Sequence, residues 1–329
     1  MKLATYKDGS RDGQLVVVAR DLGSAHYATG IATRLQRALD DWNFISPQLH
    51  DLYESLNAGK ARHAFAFDAR RCMAPLPRAY QWVAGPAFID HGERLREARA
   101  ADGPESLPTD PPMCQGGSDD FLGPCDDILA DEALGIDFGA ELAVVTGDLP
   151  MGLSPSAALE GVRLLMIANV LSLRELIPAE LARGFGLLQG RPATAFGPVA
   201  IAPDELGSAW RGGRVHLSVQ CDWNGGGVGR CESGAETRFD FGQLLAHLCK
   251  TRSVRAGSIV GSGTVGNRDG SAGHCCIAAI RAVESVEGGA PTTGFLRHGD
   301  TLRIEMMGDD GQSLFGAIEQ TVRPAAPSR

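Results

Sequence analysis

The chain has 329 residues, 43% of them hydrophobic and 22% charged, enough to bury a full core in a large domain with a smaller one beside it. Its 31 basic and 40 acidic residues give a formal charge of -9 without any Lys/Arg cluster, which argues against nucleic acid or an anionic membrane as partner. The opening Met1-Lys2-Leu3-Ala4-Thr5-Tyr6-Lys7-Asp8 turns polar at once and no apolar run reaches membrane-spanning length, so the expectation is a cytoplasmic protein without a signal peptide.

Residues 1–75 read as a small amino-terminal domain of α+β type. Lys2 to Tyr6 and Gln14 to Ala19 form a predicted hairpin, with Asp8-Gly9 and Asp12-Gly13 supplying turn chemistry. Ile31 to Trp42 and Ile45 to Asn57 carry apolar residues at helical spacing, the second with Ser46-Pro47 as its start. The prolines of Met73-Ala74-Pro75-Leu76-Pro77-Arg78 mark an extended entry into the main domain, 76–329.

In the main domain, Phe88 to Glu97 moves from an apolar entry into a short charged helix, where Asp90-His91 reads on its own as an N-cap beside a solvated histidine. Residues 98–112 read as an irregular loop, followed by the glycine-rich Cys114-Gln115-Gly116-Gly117-Ser118-Asp119. Ile136 to Gly147 reads as a strand whose alternation sets Asp137, Gly139 and Glu141 on one face. A buried carboxylate there needs a partner or a cation; a half-exposed strand with solvated acids is the plainer alternative.

Ala157 to Ala168 reads as an amphipathic helix leading into Asn169-Val170-Leu171-Ser172-Leu173-Arg174. Val215 to Gly225 alternates before an Asn-Gly turn, a hairpin signal, and Phe239 to Thr251 reads as a helix. Ala256 to Asn267 carries Gly261-Ser262-Gly263-Thr264, a turn able to present N–H groups and a hydroxyl to a carboxylate; a glycine-rich strand bend is the alternative. Cys72, Cys114, Cys125, Cys221, Cys231, Cys249, Cys275 and Cys276 lack Cys-x-x-Cys spacing and read as free thiols, with Cys275-Cys276 in the core.

Taken together, these runs resemble the fumarylacetoacetate hydrolase family. Asp137 to Leu142 resembles its Asp-x-Glu-x-Glu-Leu strand, with Gly139 and Glu141 at the two metal-binding glutamates. Asn169 to Arg174 resembles its Asn-Asp-x-Ser-x-Arg run, with Val170 at the metal-binding aspartate. Cys114 stands at the tyrosine of its Tyr-Gln-Gly-Gly-Ser-Asp run and Ala279 at the acid of Cys-Ile-Ala-Glu-x-Arg. Arg191-Pro192 to Pro198 and Pro203-Asp204-Glu205-Leu206 resemble its Lys-Pro-x-x-x-Phe-x-Pro and Thr-Pro-Asp-Glu-Leu runs and read as scaffold.

The resemblance implies a mixed β-roll in an α+β, mostly β fold, a homodimer, and cleavage of carbon-carbon bonds in acylpyruvates or other 1,3-dicarbonyl acids. It implies a catalytic His91 with Glu93 or Glu97 as its dyad partner, since Arg94 stands at the family's glutamate position, Arg183 in place of a lysine at the developing anion, and Cys114, Gln115, Arg183 and Thr264 at the substrate. Asp90 and Glu141 are its remaining metal ligands, and they would hold Mg, Mn or Ca weakly or not at all, because hard cations want about six oxygens or more. Two readings follow: an enzyme with altered or metal-independent chemistry, such as decarboxylation, isomerisation or cyclisation, or a catalytically inactive dimeric binding protein.

Overall fold

Apolar runs without a polar break become the buried strands of a large central sheet. The computed structural model describes residues 1–88 and 110–325. Its amino-terminal part comprises β1 (Lys2–Tyr6), β2 (Gln14–Val18), β3 (Ser24–Tyr27), α1 (Leu35–Asp40), α2 (Trp42–Asn57) and β4 (Phe65–Ala66). There follow β5 (Trp82–Ala84), β6 (Cys114–Gly116), β7 (Ile128–Leu129), β8 (Ile136–Asp137), β9 (Ala140–Thr146), α3 (Pro155–Leu159), β10 (Val162–Asn169), β11 (Ser172–Leu173) and α4 (Ile177–Arg183). The remainder holds β12 (Ala195–Phe196), β13 (Ala200–Ile201), β14 (Ser218–Trp223), β15 (Gly226–Glu232), α5 (Phe241–Leu248), β16 (Ile259–Gly261), α6 (Ile277–Gly288), β17 (Thr301–Met306) and β18 (Ile318–Arg323).

The central sheet runs β4-β3-β2-β1-β13-β10-β9-β16-β5-β6, with β12 also on β10. The amino-terminal strands therefore continue the main sheet, through β1 on β13 in the register Lys2↔Ile201. A second sheet has the order β15-β14-β17-β18-β7. Alternate residues of the central strands feed two cores. Leu142, Val144, Leu165 and Ile167 join Val219, Ile304 and Ile318 of the second sheet, whereas Ala143, Val145, Leu164 and Met166 join Leu35, Leu49 and Tyr53 of α1 and α2. The fold is α+β and mostly β, and among the described residues no helix is long and apolar enough to cross a membrane.

Local signals explain several elements. Asn224 and Gly225 both take left-handed φ values, 52° and 76°, as the tight β14–β15 turn requires. Asp240 and Gln243 form a reciprocal capping box, which starts α5 at Phe241 rather than Phe239.

Three helix expectations are corrected. Ala157 to Ala168 is not one helix: α3 ends at Leu159 and β10 begins at Val162, because a strand buried on both faces shows a continuous apolar run that mimics a buried helix. α2 begins at Trp42, with Pro47 inside it rather than at its start, where the missing N–H forgoes one intrahelical bond. The first helical stretch is confined to Leu35–Asp40. The charged helix expected after Phe88, with Asp90, His91 and Glu93, lies outside the described residues.

Candidate active site

The strand expected from Ile136 to Gly147 is interrupted at Phe138 and Gly139, and the break sends its two acids to different tasks. Asp137 accepts from the backbone N–H groups of Ile277 (2.7 Å) and Ala278 (3.1 Å) at the start of α6. Its Oδ2 also accepts from Arg174 Nε and Nη2, each at 2.8 Å. Its contacts are with a helix terminus and a buried guanidinium, a structural task.

Glu141 sits at the middle of the central sheet, on β9 between β10 and β16, paired with Ala168 across β10. It is 1% exposed, and its Oε2 accepts one backbone bond, from Gly263 at 3.0 Å. Burial pushes the carboxyl up to about 7, opposed by the charge of Arg191 and by the Gly263 N–H. Glu141 is therefore an acid that changes protonation state near neutral pH.

The turn that meets Glu141 is the Gly-Ser-Gly-Thr run. Gly263 has φ +74°, and a Cβ there would lie 2.6 Å from the Gly85 carbonyl and 2.7 Å from Pro86 Cα, so only glycine fits. Ser262 locks the turn to β9 by donating its N–H to the Leu142 carbonyl and accepting from the Leu142 N–H. Thr264 follows, half-buried, with its Oγ1 3.0 Å from where a Cβ on Gly139 would stand. Gly139, Val170 and Thr264 thus crowd one corner: the same Cβ would be 2.9 Å from the Val170 carbonyl.

The structure brings Glu141, Gly139, Val170 and Thr264 together. Arg183 ends α4 and is exposed. The guanidinium whose charge acts on Glu141 belongs to Arg191, which is half-buried, with Nε and Nη1 buried and without a hydrogen-bond partner among the described residues. In the sequence Arg191 reads as scaffold, because Gly190 and Pro192 beside it look like turn chemistry, although it stands opposite the lysine of the Lys-Pro-x-x-x-Phe-x-Pro run. Cys114 and Gln115 lie on β6, the sheet's last strand, opposite Ala84 and Val83, with Cys114 half-buried and Gln115 exposed. Ala279 is buried in the first turn of α6. None of the eight cysteines forms a disulfide.

A buried carboxylate on a central strand, met by a glycine turn, on a two-sheet α+β scaffold extended by an amino-terminal α+β unit, is a fumarylacetoacetate hydrolase type of architecture. A family model described as the fumarylacetoacetate (FAA) hydrolase C-terminal domain matches residues 81–323, and one described as fumarylacetoacetase N-terminal domain 2 matches residues 1–78. The chain belongs to the fumarylacetoacetate hydrolase family.

Solved structures share the fold over nearly the whole chain. Fumarylacetoacetate hydrolase from the psychrophile Exiguobacterium antarcticum is 19% identical, covering 98% of this chain and 99% of that one at a TM-score of 0.66. Maleylpyruvate hydrolase of Sphingobium sp. SYK-6, solved with manganese(II) and pyruvate, is 15% identical, with 98% and 99% covered and a TM-score of 0.66. 2-Hydroxyhepta-2,4-diene-1,7-dioate isomerase of Mycobacterium marinum is 15% identical, with 99% of each chain covered and a TM-score of 0.58. No curated protein matches the chain in sequence.

The described residues do not fit the divalent cation that the family implies. Gly139 offers neither an oxygen ligand nor room for one, and Val170 is a buried hydrocarbon. Glu141 is left as a single carboxylate beside a positive guanidinium, which repels a second cation. Among the described residues no three His, Cys, Asp or Glu side chains are grouped to hold a metal. Asp90, the other expected ligand, lies outside them.

Proposed function

We propose that the protein is an enzyme acting on a small 1,3-dicarbonyl acid of the acylpyruvate kind, with Arg191 supplying the positive charge at the reacting anion. The observation that carries this reading is the buried pair of Arg191 nitrogens, Nε and Nη1, unpartnered among the described residues and in the environment of Glu141. Buried guanidinium donors without acceptors are costly, and a carboxylate or enolate oxygen would satisfy them. Thr264 adds a hydroxyl donor at the same corner. Neutral Glu141 adds a proton donor, so charge building up on a keto oxygen meets donors already in place.

His91, which lies outside the described residues, is assigned the base that activates water or abstracts a proton, with Glu93 as its dyad partner, and Cys114 and Gln115 the flank of the substrate. This division of labour supports cleavage, and equally decarboxylation, isomerisation or cyclisation, because each passes through an enolate that Arg191 would stabilise. Solution as a homodimer and a cytoplasmic location belong to the same proposal. Weak binding of Mg, Mn or Ca is not part of it, since the chemistry assigned here uses the chain's own cation.

The test is calorimetry with oxalate, a planar mimic of the pyruvate enolate, on protein dialysed against chelator, together with a turnover screen of acylpyruvates. Binding without added metal that disappears in Arg191→Met supports the reading. Binding only when Mn²⁺ or Mg²⁺ is restored overturns the metal-independent part and returns the protein to the metal-dependent hydrolases. A folded protein that binds no oxalate and turns over no dicarbonyl acid overturns the enzyme reading in favour of a non-catalytic binding protein.

A further inference from the structure

The loop that delivers Arg191 is closed by a single carboxylate. Glu180 Oε1 accepts from the backbone N–H groups of Leu188 (3.1 Å) and Gln189 (2.8 Å), and Oε2 accepts from that of Gly190 (2.9 Å). Gly190 is fixed from its other side as well, since its carbonyl accepts from the Leu173 N–H of β11 at 2.9 Å. A Cβ on Gly190 would stand 2.8 Å from Ile177 Cγ1 and 2.9 Å from Glu180 Oε2. Glycine is therefore what lets the loop seat against the carboxylate, and Pro192, with its fixed φ, stiffens the chain just beyond Arg191.

Among the described residues, apolar packing gives this loop little support. Phe185 is 98% exposed and Leu188 80% exposed, and only Ile177 of α4 is buried. Three N–H groups converging on one carboxylate are then the principal restraint on the segment between α4 and Arg191. The same bonds, those of Gln189 and Gly190 foremost, hold the Glu180 carboxyl below its usual range, so the clamp is charged at neutral pH.

We infer that Glu180 is a positioning residue for Arg191: it fixes the Leu188–Gly190 backbone so that the guanidinium stays in the environment of Glu141. This rests on the reading of Arg191 as the anion-binding cation. The carboxylate is engaged with backbone and has no task at the substrate. With the clamp open, Arg191 remains in the chain but is no longer held, and the anion must then order the loop as it binds.

The experiment compares wild type with Glu180→Ala and Glu180→Gln in the intact chain, with two readouts. The first is the rate at which phenylglyoxal, an arginine-specific dicarbonyl, modifies Arg191, followed by peptide mass spectrometry with Arg174 as internal reference. It needs neither substrate nor activity. Loss of charge-assisted backbone bonds should raise the Arg191 rate roughly tenfold or more in Glu180→Ala and less in Glu180→Gln, which keeps one acceptor oxygen. Circular dichroism and the Arg174 rate should stay unchanged. The second readout is oxalate affinity, expected to weaken roughly tenfold in Glu180→Ala and to show no further loss when Glu180→Ala is added to Arg191→Met.

An unchanged Arg191 rate in a folded Glu180→Ala variant overturns the inference, whatever the wild type binds. A raised rate in a protein that binds no oxalate keeps the positioning role and overturns the keto-acid reading, so the two failures are distinguishable.

Discussion

The backbone N–H of Gly263 donates to Glu141 Oε2 at 3.0 Å, joining the acid at the middle of the central sheet to the turn that carries Thr264. That bond and the charge of Arg191 favour the carboxylate, while complete burial favours the acid, and burial wins. The site is thereby built around a carboxyl whose charge is not fixed at physiological pH. Asp137, on the same segment, is tied to Arg174 and two helix N–H groups.

Glu141→Gln should stabilise the protein above neutral pH. The folded carboxyl is raised from 4.5 to about 7, so its neutral form is favoured in the fold. Stability associated with this group is full below pH 4.5, falls as pH rises from 4.5 to about 7, and is lowest above that. The glutamine variant lacks this slope, and at pH 8 should unfold in urea at a higher midpoint than wild type, by a free energy on the order of 3 kcal/mol. Oxalate affinity of the wild type should likewise fall as pH passes 7 and a negative charge appears beside the ligand, while that of Glu141→Gln stays flat. Parallel urea and calorimetric series from pH 5 to 8.5 check both.

Gly263→Ala should cost far more than a glycine substitution at an open turn. Gly263 has φ +74° and would place a methyl 2.6 Å from the Gly85 carbonyl, whereas Gly9 has φ +85° with nothing within 4 Å. Backbone strain alone is about 1 kcal/mol, and the clash adds about 1–3 kcal/mol more. Thermal unfolding of the two variants side by side separates the terms, and a cost at Gly263 no larger than at Gly9 would show that the turn relaxes freely.

Arg174→Met should be among the most damaging single changes at the site. It leaves Asp137 buried at 0% exposure with only the Ile277 and Ala278 N–H groups, and breaking such a pair from one side costs about 3–5 kcal/mol. The double variant Asp137→Asn with Arg174→Met should recover part of the loss, because no unpaired charge remains. A double-mutant cycle in urea measures the coupling.

Hairpins and capped helices were legible in the sequence because local chemistry dictates them: Asn224-Gly225 for β14–β15, and Asp240 with Gln243 for α5. Strand β10 was not, since Val162–Asn169 is buried along nearly its whole length and carries no alternation to separate strand from helix. At the site, Glu141 and Thr264 stood out through the family resemblance rather than through spacing, and alternation could not tell Asp137 from Glu141, because the break at Phe138-Gly139 depends on the arrival of α6 and Arg174 from far along the chain. Arg191 was hidden for a related reason. Between a glycine and a proline it resembles a turn residue, and its burial and its charge on Glu141 emerge only in the folded chain.

Restoring the acid that the family carries at Gly139 should not restore a metal site. A side chain there must displace either the Val170 carbonyl, 2.9 Å from its Cβ, or the Thr264 hydroxyl at 3.0 Å, and the Val170 N–H is itself bonded to the Gly139 carbonyl at 2.8 Å. Gly139→Glu should therefore destabilise by about 1–3 kcal/mol and perturb Thr264. Even with the new carboxylate beside Glu141, Val170 contributes no oxygen and Arg191 keeps its charge on the same ground. Calorimetric titration with Mn²⁺ should show no stoichiometric binding in Gly139→Glu alone. Binding should emerge only when Val170→Asp and Arg191→Lys accompany it, the lysine offering a compact ammonium able to retreat from the ion where the planar guanidinium does not. One-to-one binding by the single variant would mean that the corner relaxes around a glutamate, and that the loss of one side chain, rather than the arrival of a guanidinium, is what separates this site from a metal centre.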